Sequence, residues 1–327
     1  MQGLTTQEFQ LFENLASLTQ KEMHGVMSGF LGQIYKNVVV NDKYIVAEGD
    51  VPIALVAHMD TVFSSPALDI YYDPKKNVLW SPEGLGADDR AGIFAIISIL
   101  QHTKLRPHVI LTTDEERGCI GANALAAIPC PFKDLKYLIQ LDRRGATDCV
   151  FYDCYNLDFI SYVESFGFVE SPGTFSDISV LCPAWKVCGV NLSIGYYDEH
   201  SISETLHVGQ MFATINKVKN MLKEADVAEY YVYQRKNRSH FDYLTKTFES
   251  SKDMVVCAGC KQTYSEYDTF PVKGLDGKTK YFCVDCITDN IDWCEYCQEP
   301  YEINPSDPYG FKLCPDCLEA MLKNELN

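Results

Sequence analysis

The strongest constraint on the fold is a repeated ending. Three compact apolar runs, residues 53–58, 107–113 and 136–141, each stop at a residue able to bind a metal. The first ends at His58 with Asp60 two positions on, the second opens into Asp114-Glu115-Glu116, and the third stops at Asp142. Short apolar runs bounded by polar residues read as strands buried on both faces. Strand, helix and strand alternate around them, so an α/β fold is expected: a mixed, mostly parallel sheet with helices on both faces. Catalytic groups gather at the carboxyl ends of strands in such sheets. His-x-Asp alone is a weak signal; three endings at one sheet edge form a constellation.

The intervals carry matching signals. Phe9, Phe12, Leu15 and Leu18, then Met23, Val26, Met27, Phe30, Leu31 and Ile34, recur on a helical period. With Thr5 and Glu8 spaced as a capping box, they predict two amphipathic helices over residues 5–36. Residues 37–47 read as a hairpin or edge pair, and 68–80 as a second hairpin turning at Asp73-Pro74-Lys75-Lys76-Asn77. Gly84-Leu85-Gly86-Ala87-Asp88-Asp89-Arg90-Ala91-Gly92 opens an apolar helix. A helix cap needs only one carboxylate, so this pair leaves one able to bridge two cations. Beyond it the pattern predicts a helix over 122–128, a strand over 149–152, helices near 157–166 and from Ser176-Asp177, a strand over 186–194 and a last helix over 208–223. His200 again follows a strand; His24, His102, His108, His207 and His240 read as structural.

Composition narrows the function classes. The chain has 327 residues, 46% hydrophobic and 12% aromatic, which is globular and long enough for two domains. No run of eighteen apolar residues predicts a membrane span, and the first residues do not read as a secretory signal. A net charge of −17 opposes nucleic acid and anionic membranes as partners. Of the fourteen cysteines, eight fall in Cys257/Cys260, Cys283/Cys286, Cys294/Cys297 and Cys314/Cys317. With no secretory signal expected, this pattern reads as zinc bound in a reducing cytoplasm.

The pairs also set the domain division. A catalytic unit is expected over 1–225, a polar linker over 226–253 and a cysteine module over 254–327. Two Cys-x-x-Cys knuckles bind one zinc tetrahedrally, so four pairs imply two structural sites. So small a segment needs the metals to fold. Gaps of 22, 7 and 16 residues between pairs suit sequential pairing, as in tandem zinc ribbons or a LIM-like module, while an interleaved brace stays open. The module carries six lysines, no arginine and thirteen acids, which favours a protein partner or substrate gating over nucleic acid.

His58-Met59-Asp60-Thr61-Val62, Gly86-Ala87-Asp88-Asp89-Arg90-Ala91-Gly92, Asp114-Glu115-Glu116-Arg117-Gly118, Asp142 and His200, in that order, resemble the signature of co-catalytic zinc exopeptidases of families M20 and M28. The tripeptide aminopeptidase branch of M20 is nearest in wording, over about residues 5–225. The resemblance implies a two-metal site. His58 and Asp142 would hold one zinc, Glu116 and His200 the other, and Asp88 would bridge them. Asp60 would orient His58, and Glu115 would be the general base acting on the water between the metals. Two cations about 3.5–4 Å apart stabilise both attacking hydroxide and developing oxyanion, and manganese or cobalt would also suit such ligands. Arg90 replaces the lysine usual in M20. Only 57 residues separate Asp142 from His200, where M20 enzymes insert a lid and dimerisation domain, so the unit is expected to be closer to M28 in architecture. Arg143, Arg144, Asp177 and Tyr196 are near-site candidates.

The leading expectation is a metal-dependent aminopeptidase acting on short peptides. A deacylase of N-acyl amino acids would use the same metal centre. A partner-binding scaffold with a vestigial site is the third reading, opposed by the complete ligand set and Glu115.

Overall fold

The computed structural model describes residues 3–225, 229–235, 254–265, 269–276, 278–283, 286–287, 290–294, 300–303 and 312–322. The chain divides into two units, Met1–Lys236 and Asn237–Asn327.

The first unit opens with two helices, α1 (Thr6–Ala16) and α2 (Gln20–Ile34), each started by a capping box: Thr5 with Glu8, then Thr19 with Glu22. These reciprocal bonds satisfy amide groups that a first helical turn leaves open. Strands β1 (Asn37–Val40) and β2 (Tyr44–Glu48) form an antiparallel hairpin whose turn is tied by Asn41 Oδ1 accepting from the amides of Lys43 and Tyr44. Then follow β3 (Val51–His58), β4 (Tyr71–Asp73), β5 (Val78–Trp80), α3 (Ala87–His102), β6 (Pro107–Thr112), α4 (Ile120–Ala126), β7 (Tyr137–Arg143) and β8 (Asp148–Val150). The unit continues through α5 (Leu157–Ser165), β9 (Val169–Glu170), α6 (Asp177–Trp185), β10 (Cys188–Ser193), β11 (Tyr196–Tyr197), β12 (Thr205–His207) and α7 (Val208–Lys223).

Eight strands form the central sheet in the order β1-β2-β6-β3-β7-β10-β8-β9. Its middle, β6-β3-β7-β10, is parallel throughout, and β2 and β8 join antiparallel at either side. Side chains of a strand alternate between faces. Accordingly Ile53, Leu55 and Ala57 enter one core with residues of α1, α2, α3, α5 and α7, whereas Ala54 and Val56 enter another with α4 and α6. The same alternation along β6 and β7 explains their continuous apolar character: both faces are buried.

The structure departs from expectation in three places. Strand β7 continues to Arg143, because Ser193 of β10 pairs with it, so Asp142 lies inside the strand rather than at its end. The expected 68–80 hairpin is β4–β5, but β11 and β12 extend it into a second sheet, β11-β12-β5-β4; strands of two or three residues are too short for alternation to show. Residues 229–235, assigned by composition to the linker, run beside β10: Tyr231 O accepts from the Cys188 amide, and the Tyr231 ring is buried in the core. The rest of 226–253 lies outside the described residues.

In the second unit, strands Met254–Val256 and Thr263–Ser265 form an antiparallel hairpin. Strands Thr279–Cys283, Thr269–Lys273, Pro300–Glu302 and Ile291–Trp293 form a four-stranded sheet in that order, and a helix spans Pro315–Leu322.

Candidate active site

The carboxyl ends of β3, β6 and β7 lie side by side, and the site is assembled there. Past His58, the Met59 amide still pairs with Thr112 O, so the chain turns away only at Asp60. Asp60 then does three things at once. Its Oδ1 lies 3.2 Å from His58 Nδ1 and accepts the Glu115 amide at 3.0 Å, while Oδ2 accepts the Glu116 amide at 3.0 Å. One carboxylate thus fixes the imidazole of β3 and the acidic loop after β6.

His58 Nε2 faces Asp88 Oδ1 at 3.0 Å and Asp142 Oδ1 at 3.4 Å. The other Asp88 oxygen lies 3.2 Å from His200 Nε2, which is also 3.2 Å from Glu116 Oε1. Ligand-type atoms of His58, Asp88 and Asp142 fall within 4.8 Å of one another, as do those of Asp88, Glu116 and His200. Asp88 belongs to both groups. The two ends differ in exposure: His58 is fully buried, whereas the His200 side chain is 51% exposed.

Asp142 is held by the Tyr196 hydroxyl on Oδ1 at 3.2 Å and the Ser176 hydroxyl on Oδ2 at 3.0 Å, with Asn191 bracing its backbone. Asp89, joined to Asp88 by a cis peptide, turns inward, where its carboxylate accepts the His58 and Gly92 amides. Arg90 forks onto the carbonyls of Met59 and Leu18, a two-point contact that lysine's single ammonium would not reproduce. Asp177 accepts the Thr112 hydroxyl at 2.5 Å through Oδ2, while its buried Oδ1 has no hydrogen-bond partner among the described residues. Arg143 and Arg144 lie outside the ligand groups; Arg144 pairs with Glu199 at 3.0 Å. Arg144, Tyr197, Asp198, Glu199, His200 and Ser201 line a cavity of about 480 Å³.

One residue escaped sequence reasoning altogether. Glu204, 1% exposed, accepts the Ala87 amide through Oε2 and the Asp88 amide through Oε1, both at 3.0 Å. A glutamate in a polar loop gives no sequence signal that its partners are backbone groups 116 residues away.

The electrostatics are lopsided. Asp60, Asp88, Asp89, Glu115, Asp177 and Glu204 are all buried, and the side chains of Asp142 and Glu116 are only 7% and 10% exposed. Burial, then the charge of Asp88, pushes Asp142 up to about 6 and Glu116 to about 7. Burial likewise raises Asp177 to about 7, Glu204 to about 8, and Glu115 well above the carboxylate range. Burial opposes ionisation of Asp88 as well, but His200 and His58 hold it below the usual range. Carboxylates packed this way repel unless cations neutralise them. Two histidine nitrogens with surrounding carboxylate oxygens form a donor set that fits catalytic zinc.

In the second unit, Cys257, Cys260, Cys283 and Cys286 bring their sulfurs within 4.8 Å of one another. Cys294, Cys314 and Cys317 do the same; Cys297 lies outside the described residues. A Cβ on Gly259 would sit 2.7 Å from Cys286 Cβ and Sγ, so only glycine lets the knuckles approach. Burial works against the Cys257 thiolate, yet backbone bonds from Cys283, Cys260 and Gly259 lower the thiol to about 6. Cys260 is lowered too, by its bond with the Tyr264 hydroxyl, whereas burial raises Cys283 and Cys286; it is the four converging sulfurs that suit zinc.

Against known proteins, residues 37–155 match the sequence profile of peptidase family M28. That span includes His58, Asp60, Asp88, Glu115, Glu116 and Asp142 but not His200. The fold is similar to aminopeptidase PepT from Bacillus cereus ATCC 10987, at 14% identity and a TM-score of 0.55, covering 67% of this chain and 98% of that one. It is similar to a tripeptidase from Staphylococcus aureus subsp. aureus Mu50, at 12% identity and 0.55, covering 68% and 98%. A TET aminopeptidase from the marine sediment archaeon Thaumarchaeota archaeon SCGC AB-539-E09 aligns at 13% identity and 0.50, covering 67% and 97%. No curated protein matches the sequence. The class that results is a peptidase-type hydrolase with an aminopeptidase-like α/β fold. Among the described residues, no helix is long and apolar enough to cross a membrane.

Proposed function

We propose that the first unit is a metal-dependent exopeptidase, an aminopeptidase acting on short peptides through a pair of zinc ions. The observation that carries this reading is Asp88, whose two oxygens face His58 and His200 and so join two ligand groups beside Glu115. His58 and Asp142 would hold one cation and Glu116 and His200 the other, with Asp88 shared between the two groups; manganese or cobalt would be accepted at the same donors. Bound there, the cations supply Lewis acidity and lower the pKa of water.

The chain's own residues do the rest. Asp60 fixes the His58 ring through Nδ1, leaving Nε2 toward the site. Glu115, buried and raised in pKa, takes a proton from the attacking water and returns it to the leaving amine. Burial of Glu115 keeps bulk water from competing for that proton. The cavity beside His200 admits substrate, with Asp198 and Glu199 on its wall. Catalysis belongs to residues 1–225, and 254–327 form a two-zinc cysteine module that binds a protein partner or gates substrate. The spacing and proximity of the thiols fit a reducing, cytoplasmic setting.

The test is hydrolysis of a panel of free-amine peptides, N-acyl amino acids and amine-blocked peptides, with and without chelator. Chelator-sensitive preference for a free N-terminus is expected. Activity confined to N-acyl substrates would replace the aminopeptidase by a deacylase. Metal analysis is expected to find about four zinc ions per chain, of which two survive deletion of 254–327. Two per chain, all lost on that deletion, would remove the dinuclear site.

A further inference from the structure

The two ligand groups are unequally held. His58 and Asp142 sit in or at the end of long central strands, fully or nearly buried and braced on several sides. His200 sits in the seven-residue loop between β11 and β12, half exposed, with left-handed φ at both Asp198 (56°) and His200 (62°). Left-handed backbone is uncommon outside glycine, although Asp and His adopt it more readily than most residues, so the course of the loop depends on the contacts that anchor it. Within the loop, Ser201 bonds to Asp198 O and to the Ser203 amide, contacts that do not reach the other ligands.

Glu204 makes the connection that does. It closes the same loop four residues after His200, and its carboxylate accepts the successive amides of Ala87 and Asp88. The α3 N-terminus lacks a side-chain cap at Gly86, so Glu204 is its cap, supplied from the far end of the unit. The same side chain fixes the backbone of the shared ligand and anchors the loop that carries the exposed one.

We infer that Glu204 is a positioning residue that sets the His200 loop on Asp88, and that it determines occupancy of the outer, Glu116–His200 cation position. This rests on the dinuclear reading above. Substituting Glu204 leaves two buried amides without acceptor and removes the loop's buried anchor, leaving the more exposed Arg144–Glu199 pair. The inner position keeps His58 and Asp142 in their strands, so the outer position loses affinity first.

The experiment is titration of cobalt(II) into the metal-depleted full chain, comparing wild type with Glu204→Ala and Glu204→Gln. Nitrogen–oxygen sites are read from visible d–d absorption and thiolate sites from near-ultraviolet charge transfer, so the cysteine module is counted separately. Wild type should fill two nitrogen–oxygen positions. Glu204→Ala should fill the first with nearly unchanged affinity and the second at least about tenfold more weakly, the scale of lost ligand support. Glu204→Gln, which keeps one acceptor, should fall between. Circular dichroism and thermal melts identify a variant that has not folded; Glu204→Gln then carries the comparison. Equal weakening of both positions, or two wild-type affinities in both variants, would overturn the inference. Failure of wild type itself to fill two such positions would instead overturn the dinuclear site.

Discussion

Asp60 is the residue on which the site's construction can be tested most sharply. Replacing it with alanine removes the acceptor of the Glu115 and Glu116 amides, both at 3.0 Å, and the partner of His58 Nδ1 at 3.2 Å. The side chain is buried, so water does not readily substitute. A buried donor left unsatisfied costs about 1–3 kcal/mol, which for two amides sums to about 2–6 kcal/mol. Against a typical domain stability of about 5–15 kcal/mol, Asp60→Ala should be severely destabilised and Asp60→Asn, which retains one acceptor oxygen, roughly half as much. Loss of the bond to His58 in Asp60→Ala should weaken metal binding by about 10–100-fold, with Asp60→Asn, whose remaining oxygen can still face Nδ1, falling between it and wild type. Urea unfolding gives the first quantity and calorimetric zinc titration the second. A loss under about 1 kcal/mol in Asp60→Ala together with native zinc affinity would show that the carboxylate neither holds the acidic loop nor orients the histidine.

Three further outcomes follow from the same geometry. Glu115→Gln should lower turnover by about 10²–10⁴-fold while leaving zinc content intact, measured by peptide hydrolysis beside metal analysis; loss of zinc would make Glu115 a ligand instead. Gly92→Ala should destabilise by about 1–3 kcal/mol in urea, because a Cβ there collides with the Asp89 carboxylate and lies 2.5 Å from Leu141 O; unchanged stability would mean that α3 shifts freely on β7. The metal-free fold should lose stability as pH rises. Bonds to Asp88 and Glu116 raise His200 to about 11, and burial raises Asp142, Glu116, Asp177 and Glu204 to about 6, 7, 7 and 8. The folded chain therefore holds more protons than the unfolded one from about pH 4 upward, and its urea midpoint should fall across that window. Below it, Asp60 and Asp88, which are held low, give up their contributions as they protonate. Zinc displaces the protons, so with metal the midpoint should rise with pH between about 5 and 8; slopes of the same sign with and without metal would refute this.

What could be read in advance divides along physical lines. Strands β3, β6 and β7 are legible because burial on both faces makes them continuous apolar runs. The capping box of Thr5 and Glu8 marks the start of α1 because its bonding lies within three residues; the matching Thr19–Glu22 box of α2 is equally local but is seen only in the structure. Of the second sheet only the β4–β5 hairpin is legible, from its turn residues; its joining to β11 and β12 is not, since those strands are short and β12 pairs with β5 across more than a hundred residues, as Leu206 does with Leu79. Glu204 and Asp89 stay hidden for a related reason: they act on backbone amides, which every residue except proline has. Spacing left the cysteine pairing open, and the structure groups the first four in sequence order.

The chain order of these ligands bears on how the protein is made. His58 emerges from the ribosome 142 residues ahead of His200, an interval of roughly 7–28 s at ordinary rates of synthesis. Throughout it, β5 has no β12 to pair with and the Asp88 peptide has no Glu204 beneath it. Until His200 and Glu204 are made, the growing polypeptide carries an incomplete ligand set rather than a closed centre. On the dinuclear reading, hydrolytic competence arrives only with the last segments of the first unit.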